Sequence, residues 1–533
     1  MDSESPASSN HPYSLDASQD NSVKDSCSND RGCAPYEDAD PIQSKWTEYP
    51  VIYKYIRWLF SIDGIVSIAF LCNILTLSLP VLLVPIAIEE NYRKYQTNDD
   101  DDNSNNTMES IASVFIAGQV ARVSSMAFLG GALGKIVNGF ICVEMGPYAC
   151  SRWYLAGLAL CGFIMPLTNS TWAMGMAWAG LEFFSSVQYS AMAVMLSNFY
   201  ESDPIKLSTA LTARGLASNI GEILSKIMVV TLCTFFHWRT VANVGAGIAL
   251  FGWLVISNAP GRQAAEEAHS LREPFHWYSV VASLRAILGS SLFWKLAVPY
   301  SMVFVACYTD RLLVPFYFEM TSMSQNFCGG LTLSVTFGLI HGLMTGSATY
   351  THLQEVGQKK AFFRNRYVGN VVSALALMAL AHSGPTMIAN PIVLASLVFF
   401  FSAMMASTVA FHFFQLPAMI AQRYPDHKPV CLSFLDGFGY LLSIPVFSVL
   451  GTVVPNFGWE AGWGLLAVLF AIAGTVMVGY LGPVLDSAKF FSDEDDLGAF
   501  FSFDWASAIY CGSPAAMNTE DYKKITWLLI SSA

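Results

Sequence analysis

Apolar residues in this chain occur in long runs that are separated by short polar stretches. Twelve such runs are 16 to 31 residues long. A helix needs about 20 residues to cross the hydrocarbon core of a membrane, and it satisfies all of its backbone hydrogen bonds within one segment. The pattern therefore predicts twelve transmembrane helices, at 64–88, 111–141, 153–168, 172–197, 209–235, 240–257, 294–318, 328–350, 367–382, 391–421, 430–453 and 461–483.

Lys and Arg residues are distributed unevenly between the two sides of these segments. The tails and connections on one side carry nineteen of them, and the connections on the other side carry only Arg93, Lys94 and Arg239. Cytosolic loops are rich in Lys and Arg, so the bias predicts that both termini are cytosolic. An error of one in the number of segments would have mixed the two sets, so the bias tests that number independently.

Composition strengthens the membrane interpretation and argues against several other classes. Hydrophobic residues make up 53% of the 533 residues and charged residues only 13%, whereas about a quarter of the residues in a soluble domain are charged. The net charge of −12 comes largely from the tails and one loop, and no basic stripe indicates nucleic acid. Because the cysteines lie mostly in apolar runs and no zinc or catalytic motif is visible, we expect no disulfide framework, metal, cofactor or enzymatic activity.

The chain reads as two related halves. Six apolar segments, a connection and six more segments follow one another, and CNILTLSLP (72–80) in the first segment matches CYTDRLLVP (307–315) in the seventh. Such repeats are typical of transporters, so we expect two pseudo-symmetric six-helix bundles. The predicted division is a disordered acidic tail (1–58), an N-terminal bundle (59–257), a cytosolic linker (258–292), a C-terminal bundle (293–484) and a cytosolic tail (485–533).

Short signals add little about location. Asn105 is followed by Asn106 and Thr107, which forms a glycosylation acceptor on the predicted outer side. Neither tail carries an address that decides between the plasma membrane and an endomembrane. We therefore expect a multi-pass integral membrane protein and leave the membrane open.

The end of the second segment, GALGKIVNGFICVEMGPYACSRW, resembles the signature between helices two and three of the major facilitator superfamily. That signature is Gly, three residues, Asp, two residues, Gly. Gly139 and Gly146 occupy its glycine positions, but Val143 stands at the Asp position and Glu144 follows one residue later. The resemblance covers roughly residues 60 to 483 and implies a transporter fold with a cytosolic gate. The gate would include Gly134, Lys135, Gly139, Glu144 and Gly146.

Within the superfamily, Gly134-Lys135 and the stretch ARGLASNIGE (213–222) are similar to the organophosphate:phosphate antiporter branch. That branch holds phosphate with one Arg in helix one and one in helix seven, each eight residues before a Pro. The corresponding residues here are Cys72 and Cys307, and Ser218 stands where that branch has a substrate-site His. Two guanidinium groups are suited to a phosphate dianion, so we expect the substrate chemistry of the branch not to carry over.

Adjacent charges, Asp310 and Arg311, interrupt the seventh apolar segment. A charge near the bilayer centre costs about 3 kcal/mol or more, so it faces a cavity or a partner. Neighbouring residues project about 100° apart around a helix, so we expect each charge to meet a different group on another helix. Their function would be substrate or proton handling. The alternatives are a structural ion pair or a misplaced segment boundary.

Other polar residues inside the segments are candidates for the same path. Burial favours the neutral form of a carboxyl group, so Glu182 in the fourth segment could couple transport to protons, or it could be a hydrogen-bonded helix contact. Asn219, Glu222 and Lys226 share one face of the fifth segment, where they could line the path, or Glu222 and Lys226 could neutralise each other. Arg122 is a substrate-anion or gating residue, or a structural ion-pair partner.

Two further charges lie at corresponding places early in the fifth and eleventh segments. Arg214 and Asp436 are each followed by Gly and lie about two turns from the predicted cytosolic end. We expect them to act in a cytosolic gate or an interdomain pair rather than in substrate contact.

The sequence therefore favours a secondary active transporter of a small polar or anionic solute, working by alternating access. A co-transported proton or a counter-anion could drive it. We expect a monomer whose partners are the substrate and the lipid bilayer, without nucleic acid. The alternatives are organophosphate/phosphate antiport and a non-transporting nutrient sensor built on the same fold.

Overall fold

The computed structural model describes residues 57–96, 105–200, 204–263, 291–321, 323–355, 359–383, 391–410 and 428–481, with a few residues between 266 and 289. Regular structure in these residues is helical, which confirms the predicted all-α class. The helices are α1 (Ile62–Gln96), α2 (Asn105–Met145), α3 (Pro147–Ile164), α4 (Thr171–Ser185), α5 (Gln188–Phe199), α6 (Pro204–Leu232), α7 (Trp238–Ser257), α8 (Ser291–Cys307), α9 (Asp310–Thr321), α10 (Gln325–Leu331), α11 (Leu333–Glu355), α12 (Lys359–Ser383), α13 (Pro391–Ala410) and α14 (Lys428–Val476).

Each of the twelve predicted segments overlaps at least one described helix. The fourth segment is divided into α4 and α5, the seventh into α8 and α9, and the eighth into α10 and α11. The eleventh and twelfth segments are joined in α14, where Gly458 breaks the helical geometry at φ 78°. Eight described stretches are long and apolar enough to cross a membrane. This number is lower than twelve for three reasons. The fourth and seventh segments are divided, the ninth has a short apolar run, and the eleventh and twelfth are joined in α14.

Glycine, proline and serine set the sharp turns between neighbouring helices. α2 ends at Met145, Gly146 takes a φ of 80°, and Pro147 opens α3. A positive φ is accessible to glycine, and proline suits the first position of a helix. At the start of α4, Ser170 Oγ accepts a hydrogen bond from the backbone N–H of Ala173 at 3.1 Å. This cap satisfies one of the free donors at the helix start.

We refer to α1–α7 as the N half and to α8–α14 as the C half. Within the N half, α2 packs on α4, α1 packs on α6 and α7, and α3 packs on α7. Within the C half, α11 packs on α13, and α14 packs on α8 and α12. The halves meet where α2 packs on α14 and α9, where α1 packs on α9 and α10, and where α6 packs on α10 and α11.

Large apolar side chains are exposed around the outside of the helices. Hydrocarbon is as apolar as these side chains, so exposure to lipid carries none of the hydration cost that exposure to water would carry. This distribution fits the predicted multi-pass integral membrane protein. Examples on four helices are Trp153, Leu160, Phe251, Val372 and Val468.

Several sequence predictions lie outside the described residues. These are nearly all of the acidic tail (1–58), most of the linker (258–292) and the C-terminal tail (485–533). The domain boundaries therefore stay predictions. The glycosylation of Asn105, which is the first residue of α2, also stays a prediction.

Candidate functional site between the two halves

Two broken helices bring opposite charges together between the halves. The break between α8 and α9 falls at Tyr308 and Thr309, so Asp310 and Arg311 lie in the first turn of α9. Arg311 forms an ion pair with Glu182 of α4, and each of the two side chains is 3% exposed. Glu182 lies in the last turn of α4, directly before the break between α4 and α5. This pair joins the N half to the C half.

Aromatic rings enclose the guanidinium group of Arg311. Its Cζ atom lies 4.1 Å from the ring centroid of Phe128, 4.6 Å from that of Trp178 and 4.8 Å from that of Tyr308. Such cation–π contacts are stronger when the cation is desolvated. The Nε and Nη1 atoms of Arg311 are buried and have no hydrogen-bond partner among the described residues. The rings contact the cation, and two of its three nitrogens have no acceptor among the described residues.

Glu182 also meets a tyrosine pair of the C half. Tyr440 of α14 donates its hydroxyl to Glu182 Oε2 at 3.4 Å, while Arg311 pairs with Oε1. The hydroxyl groups of Tyr308 and Tyr440 are 3.0 Å apart. Both carboxylate oxygens of Glu182 therefore have a partner from the opposite half.

A second charged group lies on the other side of α9. Lys226 of α6 is fully buried, and its Nζ donates to Glu222 Oε1 at 2.8 Å and to Thr336 Oγ1 of α11 at 2.7 Å. Thr336 in turn donates to Glu222 Oε1 at 2.8 Å. Asp310 Oδ2 lies 4.0 Å from Lys226 Nζ. The neighbours Asp310 and Arg311 thus face separate partners, on α6 and α4, as their angular separation requires.

Two of the predicted path residues do not join these groups. Arg122 of α2 is exposed and lies beside Gly451 of α14, with no ion pair or hydrogen bond to a described residue. Asn219 is half-buried on α6, one turn before Glu222, and it too has no hydrogen bond to a described residue.

Of the predicted gate residues, Lys135 and Asp436 are brought together. Lys135 Nζ of α2 lies 2.9 Å from Asp436 Oδ2 of α14, and Tyr300 of α8 donates its hydroxyl to Asp436 Oδ1 at 2.6 Å. This ion pair joins the halves at the predicted cytosolic end. Gly134 lies next to it, where a Cβ atom would come within 2.4 Å of Ser186 Oγ. Gly134 therefore allows the close approach of α2 to α4.

The remaining gate residues lie apart from that ion pair. Arg214 of α6 stacks 4.0 Å from the ring centroid of Tyr189 and donates to its backbone oxygen at 2.8 Å, and both contacts lie within the N half. Gly146 forms the turn between α2 and α3, Glu144 is exposed and Gly139 is half-buried.

Sequence reasoning missed the neutral residues of the site. Phe128, Trp178, Tyr440 and Thr336 carried no signal, because apolar segments contain many aromatic and hydroxyl side chains. Tyr308 lies two residues before Asp310 in CYTDRLLVP, and this proximity to the charges is the one sequence signal for its place in the site. Among the described residues, no cluster of His, Cys, Asp and Glu is arranged to hold a metal ion.

Solved structures of transporters share this fold. The nucleoside transporter NupG aligns with a TM-score of 0.55 and 14% identity, over 79% of this chain and 99% of its own. The human organic anion transporter MFSD10 aligns at 0.53 and 14% identity, over 78% and 98%. A D-xylose-proton symporter aligns at 0.55 and 13% identity, over 79% and 98%. At such identities the likeness shows the fold alone.

Sequence comparison gives the family directly. No curated protein sequence matches the chain significantly. The family model described as Major Facilitator Superfamily matches residues 66–418, which is more than half of the chain and includes both charged groups of the site. This protein therefore belongs to the Major Facilitator Superfamily.

Proposed function

We propose that this protein is a secondary active transporter that moves a small polar or anionic solute by alternating access. The observation that carries the proposal is the pair of buried charged groups between the halves. Charged residues inside a membrane are costly and mark substrate, ion or proton paths. The pairs Arg311–Glu182 and Asp310–Lys226 each join the N half to the C half.

The broken helices support the same proposal. Transporter binding sites lie near the bilayer midplane, where discontinuous helices expose backbone groups and helix ends. Glu182 lies beside the break between α4 and α5, and Arg311 lies beside the break between α8 and α9. The site therefore combines charge with irregular backbone in the middle of two segments.

Contacts at the two ends of the halves are suited to opening in turn. Lys135 and Asp436 join α2 to α14 at the predicted cytosolic end, and Gly329 of α10 lies against Val230 of α6 near the opposite end. Alternating access requires such contacts to separate one end at a time. The central charges then keep a partner in each state, or exchange it for substrate.

Substrate class follows from this chain rather than from its structural neighbours. Those neighbours are transporters of nucleosides, organic anions and xylose, and a fold does not choose among such substrates. Arg311, two of whose nitrogens have no acceptor among the described residues, favours an anion. Organophosphate exchange is less well supported, because Cys72 and Cys307 stand at the phosphate-binding positions of that branch. A sensor remains the competing class.

The test is uptake by the full-length protein in liposomes. Labelled organic anions, sugars, nucleosides and amino acids would be offered with and without a pH gradient, and the contents analysed by mass spectrometry. The wild-type protein should accumulate at least one solute, and R311Q should reduce that uptake about tenfold or more because it removes a charged binding group. Arg93, which is exposed at the predicted outer end, provides the control variant R93Q. Ligand binding without uptake of any solute would favour the sensor.

A further inference from the structure

Three buried hydrogen-bond donors on Arg311 and Trp178 have no partner among the described residues. They are Nε and Nη1 of Arg311 and Nε1 of Trp178. Arg311 and Trp178 are 3% and 1% exposed, and their guanidinium and indole groups are in contact at 4.6 Å. All three atoms donate and none accepts. The matching ligand group is one that presents only acceptors.

Geometry narrows the ligand group further. The rings of Phe128, Trp178 and Tyr308 lie within 5 Å of the Cζ atom of Arg311, and the two nitrogens that lack an acceptor among the described residues lie at the edge of the guanidinium. A carboxylate is planar and pairs with one guanidinium edge through two oxygens. These two atoms, Nε and Nη1, belong to different edges, and each edge also includes Nη2, so a carboxylate would bind Nη2 together with one of them. Leaving a buried donor without an acceptor is unfavourable, so the unbound arrangement favours binding. The surrounding rings suit a carboxylate that carries an apolar or aromatic body.

Charge balance assigns a role to Glu182. A buried guanidinium cannot lose its proton, so one carboxylate compensates it in the unbound state. A second carboxylate on Arg311 would leave an excess negative charge in a medium of low dielectric constant. Taking up one proton on Glu182 removes that excess, and the net charge of the site stays the same.

We propose that Arg311 and Trp178 form a subsite for the carboxylate of a monocarboxylate substrate, and that Glu182 takes up one proton for each carboxylate bound. This inference rests on the proposed transport function and specifies its substrate class and coupling. The carboxylate arrives ionised and the proton arrives separately. The one bond that forms is the O–H bond on Glu182, and no bond between heavy atoms forms or breaks.

The other charged and titratable groups near Glu182 keep their own partners. Lys135 stays with Asp436 at 2.9 Å, and Asp310 and Glu222 stay with Lys226. Tyr440 and Tyr308 share a hydroxyl contact, and Tyr440 can donate to Glu182 in either protonation state. Arg311 is therefore the group whose counter-charge changes on binding, from Glu182 to the carboxylate of the substrate.

Titration calorimetry with benzoate tests the subsite on the purified full-length protein. The dependence of the binding heat on the ionisation enthalpy of the buffer gives the number of protons taken up per ligand. The wild-type protein should bind benzoate with uptake of one proton. E182Q should bind benzoate without proton uptake, because the guanidinium then has no competing carboxylate. Benzamide has the same ring and no charge, so it should not bind measurably.

Further variants separate the subsite from a structural role. W178F keeps the ring and loses one donor to a charged group, so its benzoate affinity should fall about tenfold. The double variant E182Q/R311Q removes both charges together, so it should fold and should not bind benzoate.

Several results would overturn the subsite. These are wild-type binding of benzoate without proton uptake, equal binding of benzamide, unchanged affinity in E182Q/R311Q, or no benzoate binding by folded wild-type protein. The uptake assay distinguishes this failure from that of the proposed function. Uptake of other solutes without benzoate binding would support transport and contradict the subsite. Benzoate binding without uptake of any solute would support the subsite, but in a sensor.

Discussion

The outer ends of the two halves contain the same polar contact. In the N half, Trp238 at the start of α7 donates its indole N–H to Glu90 Oε2 of α1 at 2.8 Å. In the C half, Trp459 of α14 donates to Glu319 Oε2 of α9 at 2.7 Å. The tryptophans lie two residues before the sixth and twelfth segments, and the glutamates lie one or two residues after the first and seventh. Contacts of the same kind therefore recur at the outer ends of the two halves.

Close helix packing also repeats between the halves. A Cβ atom on Gly130 of α2 would lie 2.0 Å from the backbone oxygen of Ala179 on α4. A Cβ atom on Gly342 of α11 would lie 2.1 Å from the backbone oxygen of Ala403 on α13. Helices inside membranes approach closely through such small residues. The second and fourth segments thus pack as the eighth and tenth do.

The centre of the molecule does not repeat. Asp310 and Arg311 occupy the C half, and their counterparts in the sequence repeat are Leu75 and Thr76, which are buried in the N half. Thr76 donates to the backbone oxygen of Gly245 at 2.9 Å and carries no charge. The N half instead supplies the opposite partners from its fourth and fifth segments. The helix packing thus recurs in both halves, whereas the central charges differ between them and are complementary.

The largest expected effect comes from breaking the central pair. E182Q should lower the free energy of unfolding by about 3–5 kcal/mol, because it leaves a buried guanidinium without a counter-charge. R311Q should cost less, since the isolated carboxyl group of Glu182 can take up a proton. Thermal unfolding in detergent measures both variants.

The double variant E182Q/R311Q is the control for this prediction. It removes both charges together, so it should be more stable than E182Q alone. If the losses in unfolding free energy of the two single variants simply add in the double variant, the two side chains are not coupled. The central charges would then not form a pair between the halves.

Glycine substitutions should have the next largest effect, and they test whether the packing repeat is real. G130A and G342A should each cost about 1–3 kcal/mol, because the added methyl group meets backbone. The control is G247A in α7, where nothing lies within 4 Å of the added atom. That variant should be neutral or should gain about 0.5–1 kcal/mol, since alanine favours a helix over glycine. If only one of G130A and G342A lowers the melting temperature, close packing at glycine is confined to one half.

Tryptophan substitutions should have smaller and nearly equal effects. W238F and W459F each remove one hydrogen bond to a carboxylate and keep most of the ring, so each should cost about 1–2 kcal/mol. W172F is the control, because Trp172 is 66% exposed and should change the unfolding free energy little. A large loss in one half and none in the other would show that the two outer contacts are not equivalent.

The sequence predicts the segments and the central charges because both signals are local. A run of apolar residues, or a charge inside it, is visible without knowing the fold. The partners are not visible, since Glu182 and Arg311 are 129 residues apart in the chain and meet through packing of the two halves. The ring enclosure is hidden for another reason: aromatic residues make up 14% of the chain, so Phe128 and Trp178 do not stand out.

The smallest effect on stability is expected at the cytosolic gate. The side chains of Lys135 and Asp436 are 16% and 31% exposed, and exposed ion pairs contribute about 1 kcal/mol or less. K135Q should therefore melt nearly as the wild type does. Because the pair joins α2 to α14, its loss should instead make the predicted cytosolic end open more often.

Chemical labelling would reveal that opening. Ile136 lies against Gly437 of α14, so a cysteine in I136C is shielded while the halves are in contact. Its maleimide labelling, mapped by mass spectrometry, should be up to about fivefold faster in K135Q, as a loss of about 1 kcal/mol allows. R93Q, at the opposite end, should leave the rate unchanged. Equal labelling rates of I136C with and without K135Q would show that the Lys135–Asp436 pair does not hold this end closed. A faster rate would show that the Lys135–Asp436 pair helps to hold this end closed in a chain that has Val143 at the Asp position of the family signature.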